Sequence, residues 1–273
     1  MTVIRWQQAA ALLLTFVFAL LLGGIAAADT ARISAGAAPV LYVQMREGTV
    51  TIRSGNQPQV QIDYGEGVTV DHVGAAEVAR RLPAEIMLWS QVISTPEGDL
   101  QLPPETFVLP DLNDGSHDAI VVHGDGNATI VIPAVTALII TNVRHGTVSI
   151  EGYKNGVFVA HVAAGGVTIN NVSGTGAIQV NDGRVLARNS DFTRLRVRTA
   201  RGNVRFEDCT ASEIEATSLA GSIIYDNGTF RPGLARFESQ LGDVVLGVSG
   251  DSVVSAHSSA GKIFSDAGSI SAG

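Results

Sequence analysis

Two stretches of this chain, Ile139-Ile-Thr-Asn-Val-Arg-His-Gly146-Thr-Val-Ser-Ile150 and Phe158-Val-Ala-His-Val-Ala-Ala-Gly165-Gly-Val-Thr-Ile169, repeat one pattern 19 residues apart. In each, a glycine is followed two residues later by valine and four residues later by isoleucine. The same glycine recurs with successive gaps of 19, 18, 19, 19, 21 and 19 residues, at Gly146, Gly165, Gly183, Gly202, Gly221, Gly242 and Gly261. A fixed period near 20 is typical of repeat proteins, whose units bury their apolar faces only by stacking on one another.

Apolar residues within a unit are spaced by two, which predicts strands. The position two residues after the glycine is always β-branched: Val148, Val167, Val185, Val204, Ile223, Val244 and Ile263. Further apolar positions lie four residues after the glycine and five and seven residues before it. Because alternate residues of a strand share a face, each unit is expected to be two short strands joined by a turn at the glycine. Stacked units of this kind predict an all-β fold, a right-handed parallel β-solenoid.

The same register occurs once near the N-terminus, at Gly48, and suggests a first coil or an opening hairpin within residues 29–74. Residues 75–130 interrupt the pattern. We interpret them as an irregular proline-rich insertion followed by entry strands, with a short helical turn from Ala75 to Leu82, and as a candidate cap for one end of the stack. The regular array then occupies residues 131–266, and residues 267–273 are expected to be a flexible tail.

The first 28 residues have the pattern of an export signal, with Arg5, an apolar run from Ala9 to Ile25 and a small-residue cleavage site at residues 26–28. The run is also long enough for an uncleaved membrane anchor, which is the alternative. Without these residues the chain has 17 basic and 26 acidic residues, a net charge of −9, which argues against nucleic acid or anionic lipid as partner. The single cysteine, Cys209, excludes an internal disulfide and a multi-thiolate zinc site.

The pattern resembles an adhesin-like family of bacterial envelope proteins with a β-solenoid fold. The similar features are Gly48-Thr-Val-Thr-Ile52 after a signal peptide, Ile132-Pro133 before Leu138-Ile139-Ile140, and repeats such as Leu241-Gly242-Asp243-Val244. The resemblance covers about residues 38–266 apart from the proline-rich stretch. It implies a surface or periplasmic protein and carries no catalytic residues onto this chain.

Candidate chemistry is sparse, and we predict no catalytic, cofactor or metal site. The array aspartates fall mostly at different repeat offsets, which would scatter them rather than gather them in one groove: Asp182, Asp208, Asp226, Asp243 and Asp251. The polar stretch from Asp111 to Asp118, with His117 and later His123, permits a surface metal site but departs from a calcium-binding loop; a flexible loop is favoured. Arg194, Arg196 and Arg198 alternate with apolar residues and form a candidate ligand strip, for which the alternative is a solvated face that discourages edge pairing.

The sequence therefore favours a non-enzymatic exported envelope or surface protein that binds a glycan or an envelope protein. One alternative is a carbohydrate-active enzyme on the same scaffold, which would need carboxylates converging in one groove. The other alternative is an envelope scaffold that associates with itself through its open ends.

Overall fold

The structure is a computed structural model that describes residues 29–272 except 35, 37, 78–84, 97, 113–115, 251–252 and 267–270. The expected export signal and most of the expected helical turn lie outside the described residues; of the turn, residues 75–77 are helical. Within the described ranges, no helix has the length and apolar character needed to span a membrane.

The described residues are almost entirely strands. In chain order these are β1 (Asp29–Ser34), β2 (Val40–Gly55), β3 (Gln59–Tyr64), β4 (Val68–Val73), β5 (Glu85–Leu88), β6 (Gln91–Thr95), β7 (Gly98–Leu102), β8 (Glu105–Val108), β9 (Ala119–Asp125), β10 (Ala128–Pro133), β11 (Leu138–Glu151), β12 (Gly156–Asn170), β13 (Ser173–Arg188), β14 (Asp191–Arg201), β15 (Val204–Glu207), β16 (Thr210–Ala220), β17 (Ile223–Phe230), β18 (Leu234–Ser239), β19 (Val244–Gly250), β20 (Val253–Ser258), β21 (Ile263–Ser265) and β22 (Ser271–Ala272).

Successive units stack as parallel coils, so the predicted β-solenoid is confirmed. The register is the one that the repeat implies: Gly48 pairs with Gly146, Gly146 with Gly165, and Gly165 with Gly183. Like residues therefore lie above one another along the stack, and the strands of an inner coil pair with strands of the coils on either side.

The order of coils in space differs from their order in the sequence. Strand β2 lies between the β9–β10 coil and β11: its first half pairs with β9, its second half with β10, and its other edge with β11. The position of residues 119–133 in the sequence suggests that they lie directly beside the first coil of the array. In the structure they do not. The N-terminal segment supplies the coil in between.

Neighbouring coils approach one another closely at the glycine corners. A Cβ on Gly183 would lie 1.5 Å from the carbonyl oxygen of Gly165, and a Cβ on Gly165 would lie 1.7 Å from that of Gly146. In β11, β12 and β13 the strand continues through the glycine, whereas in later units the glycine lies between two separate strands. The turn expected at the glycine is thus a bend within one continuous ladder in the early units.

A second corner uses residues that tolerate the left-handed conformation. Six positions after the repeat glycine, Asn171, Asn189, Asp208 and Asn227 all have φ near +50°. Short polar side chains are the ones that adopt this conformation most readily apart from glycine. The side chains also contact along the stack, with Asn227 Nδ2 donating to Asp208 Oδ1.

The core is a column of inward-facing side chains, chiefly valine, isoleucine and alanine, with aromatic rings toward the later coils. Phe206 and Tyr225 lie 5.0 Å apart by ring centroid, and Tyr225 and Phe237 lie 5.6 Å apart. Tyr225 is buried, and its hydroxyl donates to the Cys209 carbonyl at 3.2 Å, which satisfies its polar group.

The end of the stack nearest the N-terminus is closed by antiparallel strands. Strand β3 runs antiparallel to β10 and to β1, and β4 runs antiparallel to β9. The proline-rich insertion, a candidate for this role, lies elsewhere, and its described part is not irregular: β5 pairs with β8 and β6 pairs with β7. In the expected flexible tail, β22 pairs with β20, because backbone groups at a ladder edge can bind a further strand.

Candidate functional site

One outer face of the solenoid carries apolar residues where a solvated sheet would be polar. In the part of β2 before Gly48 the even-numbered residues face outward, while Leu41 and Val43 lie in the solenoid core. The outward residues Val40, Ile140 and Val159 are nonetheless buried. An apolar outer column of this kind needs a cover.

The cover is residues 85–112, which we call the insertion. Its side chains Leu88, Phe107, Leu109 and Leu112 form a second apolar cluster with the outward column. Its β6–β7 hairpin packs further along the stack, where Ile93 and Leu102 contact Ala200 and Leu219. The insertion thus lies along the side of the solenoid.

Polar contacts fix the insertion against the strands below. The Trp89 backbone N–H donates to Gln179 Oε1 at 2.9 Å, and Gln179 Nε2 donates to the Trp89 carbonyl at 2.9 Å. The buried Gln91 amide donates to the Val180 carbonyl at 3.0 Å. The Gln179 side chain therefore makes the same pair of hydrogen bonds to the Trp89 backbone that a neighbouring strand would make. These bonds fix the distance between the insertion and the sheet.

The arginine strip lies under the same insertion. Arg196 pairs with Glu105, and Arg198 donates to the Pro103 carbonyl and lies 3.9 Å from Glu105. The Arg198 side chain is only 6% exposed, and burial lowers the pKa of its guanidinium. Arg194, at the open end of the strip, pairs with Glu213 at 2.8 Å. The spacing correctly predicted side chains that leave the core, but their charges are matched within the chain, so the strip is not an open cationic surface.

Between the insertion and the solenoid face lies a groove of about 510 Å³. Its walls are aliphatic on both sides, with Ile86, Met87 and Leu88 above and Val40, Ile140 and Val159 among the residues below. Along one edge runs a column of uncharged polar side chains in strict register, one from each of four neighbouring coils: Gln44, Asn142, His161 and Gln179.

His161 lies toward one end of this column. Its Nδ1 lies 3.1 Å from Asn142 Oδ1, so Nδ1 carries the proton and Nε2 is left as an acceptor. Nε2 is buried without a hydrogen-bond partner, and the Trp89 ring lies edge-on to the imidazole with centroids 4.4 Å apart. Burial lowers the pKa of His161, which keeps the imidazole neutral near pH 7.

The polar stretch before β9 forms separate local contacts. Its described residues include His117, whose Nδ1 contacts the Ala38 carbonyl at 2.7 Å, and Asp118, whose carboxylate contacts His72 Nε2 at 3.3 Å. Residues 113–115 lie outside the described part, and within that part no three histidine, cysteine or acidic side chains gather to hold a metal ion. His123 instead pairs with Asp71 at 3.0 Å.

Aspartates of the array also form local ion pairs. Asp182 lies 3.6 Å from Arg201, and Asp226 lies 3.3 Å from Arg205. Of the described residues that line the groove, none is acidic.

Sequence reasoning did not find the groove, although a signal for it exists. Six positions before the repeat glycine, an outward position is Tyr42, Ile140, Val159 and Ala177 in four units that stack together, and is charged in the next three units, at Arg196, Glu215 and Arg236. Apolar residues at an outward position imply a covered face. The later charged residues mark where the cover changes from apolar packing to ion pairs.

The comparisons with known proteins identify the scaffold. No curated protein and no solved structure matches this chain. A family model described as Toastrack DUF4097 matches residues 110–271, more than half of the 273 residues. The chain belongs to the Toastrack DUF4097 family, a β-solenoid domain family of unknown function.

Proposed function

We propose that this chain is a non-enzymatic binding protein exported to the cell envelope, in the periplasm or at the surface, and that the groove is its ligand site. The observation that carries the proposal is the groove itself. Its volume of about 510 Å³ falls within the range of about 300–1,000 Å³ typical of small-molecule sites. One wall is a hydrogen-bonded sheet of stacked coils, and such a wall holds its side chains in fixed positions.

The lining supports binding without catalysis. The described lining residues include one titratable imidazole, His161, and Tyr42, but no carboxylate, lysine, arginine or cysteine. Hydrolysis of a glycosidic bond needs two carboxylates on opposite sides of the bond, and nucleophilic catalysis needs a base beside the nucleophile. The carbohydrate-active alternative is therefore less well supported than a binding role.

Export is supported by the sequence pattern of residues 1–28 and by the resemblance to adhesin-like envelope proteins. The lone cysteine is buried and unpaired, so the described fold holds together without disulfides, in an oxidising compartment or elsewhere. An envelope location would bring the groove within reach of lipids, glycans and envelope proteins.

The test combines location with binding. Cells that make the full chain are fractionated, and the N-terminus of the purified protein is sequenced; we expect an envelope fraction and a chain that begins at Asp29. The sequence has two tryptophans, so a chain that begins at Asp29 has Trp89 as its only one, and the substitution Trp6→Phe gives the same single reporter in any unprocessed chain. Envelope extract should then change Trp89 emission.

Matched variants make this test specific for the groove. Met87 is 60% exposed and lines the groove, whereas Val92 is 51% exposed and lies outside its lining. Met87→Glu should abolish the response to extract and Val92→Glu should retain it. An unprocessed cytoplasmic chain, or a response unchanged by Met87→Glu, would contradict the proposal.

A further inference from the structure

We infer, resting on the function proposed above, that the groove binds a lipid with a single alkyl chain and an uncharged head group. The chain would lie along the axis of the stack, and the head group would contact the open amides at the polar edge of the groove.

The aliphatic walls point to an alkyl chain. Above the ligand lie Ile86, Met87 and Leu88, and below it lie Ile140 and Val159. A sugar-binding surface presents flat aromatic rings to pyranose faces, and here the aromatic residues, Tyr42 and Trp89, are outnumbered by branched aliphatic ones. Flexible methylene chains pack well against such walls, and each methylene removed from water favours binding.

The length of the groove fits an extended chain. Its lining residues come from six strands that are neighbours in one sheet, in the spatial order β4, β9, β2, β11, β12 and β13. Neighbouring strands lie about 4.8 Å apart, so the groove runs for about 24 Å across the strands. A long and narrow site of this kind suits one chain better than a branched or globular ligand.

The charges select an uncharged head group. The described lining carries no aspartate, glutamate, lysine or arginine, and burial of the His161 ring favours its neutral form by lowering its pKa. The cations beside the groove lie outside its lining: Arg46 pairs with Asp125, Arg196 and Arg198 face Glu105, and Arg144 is exposed beyond Asn142. Within the described lining an anionic head would have no cation to pair with, and a cationic head would have no carboxylate.

Hydrogen-bonding groups remain for a neutral head. Gln44 is exposed at the polar edge, and Asn142 uses its oxygen on His161, which leaves its amide hydrogens to donate. Hydroxyl or amide groups of a lipid head can both accept from and donate to these side chains. Trp89, half exposed beside His161, lies where it would sense the ligand.

The experiment compares three probes with the same ten-carbon chain: decyl glucoside, decanoate and decyltrimethylammonium. Each is titrated below its micellar concentration into the Trp6→Phe chain, with Trp89 emission as readout and native mass spectrometry for stoichiometry. We expect saturable one-to-one binding of decyl glucoside at least tenfold tighter than of either charged homologue. Met87→Glu should weaken it at least tenfold, and Val92→Glu should leave it within twofold.

Chain length gives a second readout. Across a series of alkyl glucosides the affinity should rise by about fourfold per added methylene, and then level off once the chain exceeds the groove. Affinity that keeps rising with length, or that Met87→Glu leaves unchanged, would show adsorption elsewhere and overturn the inference.

The remaining outcomes separate this inference from the function on which it rests. Binding of decanoate as tight as that of decyl glucoside refutes the uncharged head. Binding of soluble oligosaccharides or peptides instead, sensitive to Met87→Glu, refutes the lipid and leaves the binding function intact. If neither the probes nor envelope extract change Trp89 emission, both are wrong.

Discussion

Substitution of a single corner glycine should destabilise the fold far more than its small volume change suggests. In Gly183→Ala the new Cβ would lie 1.5 Å from the carbonyl oxygen of Gly165, at a φ of +146°. The backbone strain costs about 1–3 kcal/mol. Overpacking against a backbone atom that cannot rotate away adds about 1–3 kcal/mol. Reduced entropy of the unfolded chain returns about 0.4–1 kcal/mol. The free energy of unfolding should therefore fall by about 1–6 kcal/mol.

Two further glycines separate these contributions. Gly98 has a φ of +131°, and no atom lies within 4 Å of the position that a Cβ would occupy, so Gly98→Ala isolates the backbone strain. Gly65 has neither a positive φ nor a neighbour within 4 Å, so Gly65→Ala reports the unfolded-state effect alone and should be neutral or slightly stabilising. Urea unfolding followed by far-ultraviolet circular dichroism gives all three values on one scale.

The order of the three variants in free energy of unfolding tests whether the close approach of the coils restricts this position to glycine. We expect Gly65→Ala to be the most stable, Gly98→Ala intermediate and Gly183→Ala the least stable. If Gly183→Ala costs no more than Gly98→Ala, the close approach of the coils does not restrict this column to glycine, and the reasoning is wrong.

Three further predictions concern the insertion, the buried thiol of Cys209 and the coil formed by β2. Glu105→Gln removes the carboxylate that faces both Arg196 and Arg198 and should loosen the insertion by about 1–3 kcal/mol, seen as faster limited proteolysis within residues 85–112. Glu213→Gln, beside the half-exposed Arg194, is the control and should have little effect. Burial raises the pKa of the Cys209 thiol from 9.0 to about 11, so its contribution to stability is complete below pH 9 and is lost as the pH rises through 11. The free energy of unfolding of the native chain should therefore fall relative to that of Cys209→Ala over that interval by up to about 3 kcal/mol. If the urea midpoints of the two chains change with pH in parallel, this prediction is wrong. A fragment of residues 110–273 lacks β2, the partner of β11 along its whole length, and should be unfolded or aggregated by circular dichroism and gel filtration, whereas the full chain is folded.

The sequence was sufficient to predict the structure of a single coil, but not the order in which the coils stack. The inward positions and the glycine of each unit can be read from its own sequence. Because equivalent residues of neighbouring units align when the units stack, the register between Gly146 and Gly165 follows from the pattern alone. However, the segments Gly48-Thr-Val-Thr-Ile52 and Gly146-Thr-Val-Ser-Ile150 are nearly identical in pattern. Units that all suit one another do not specify which one lies next to which, so the placement of β2 between β10 and β11 could not be derived.

The groove was missed for a different physical reason. Alternation predicts whether a side chain faces inward or outward, and it did so correctly for Arg196 and Arg198. What an outward side chain then contacts depends on the insertion, whose own strands are short and whose position is set by distant contacts such as that of Glu105 with Arg196. Local pattern therefore gives the scaffold, while the covered face depends on tertiary contacts about 90 residues apart in sequence.

The boundaries of the family match bear on where specificity lies. The matched residues 110–271 contain the lower wall of the groove at Ile140 and Val159 and the polar residues Asn142 and His161. The upper wall, residues 86–89, and the β2 side chains Tyr42 and Gln44 come from before residue 110. A Toastrack solenoid with another segment in place of residues 85–112 would keep the stacked coils but present a different groove or an open face. A ligand in the proposed site would contact both walls, so the segment before residue 110 would contribute to which ligand fits, and relatives that share only the solenoid should differ in what they bind.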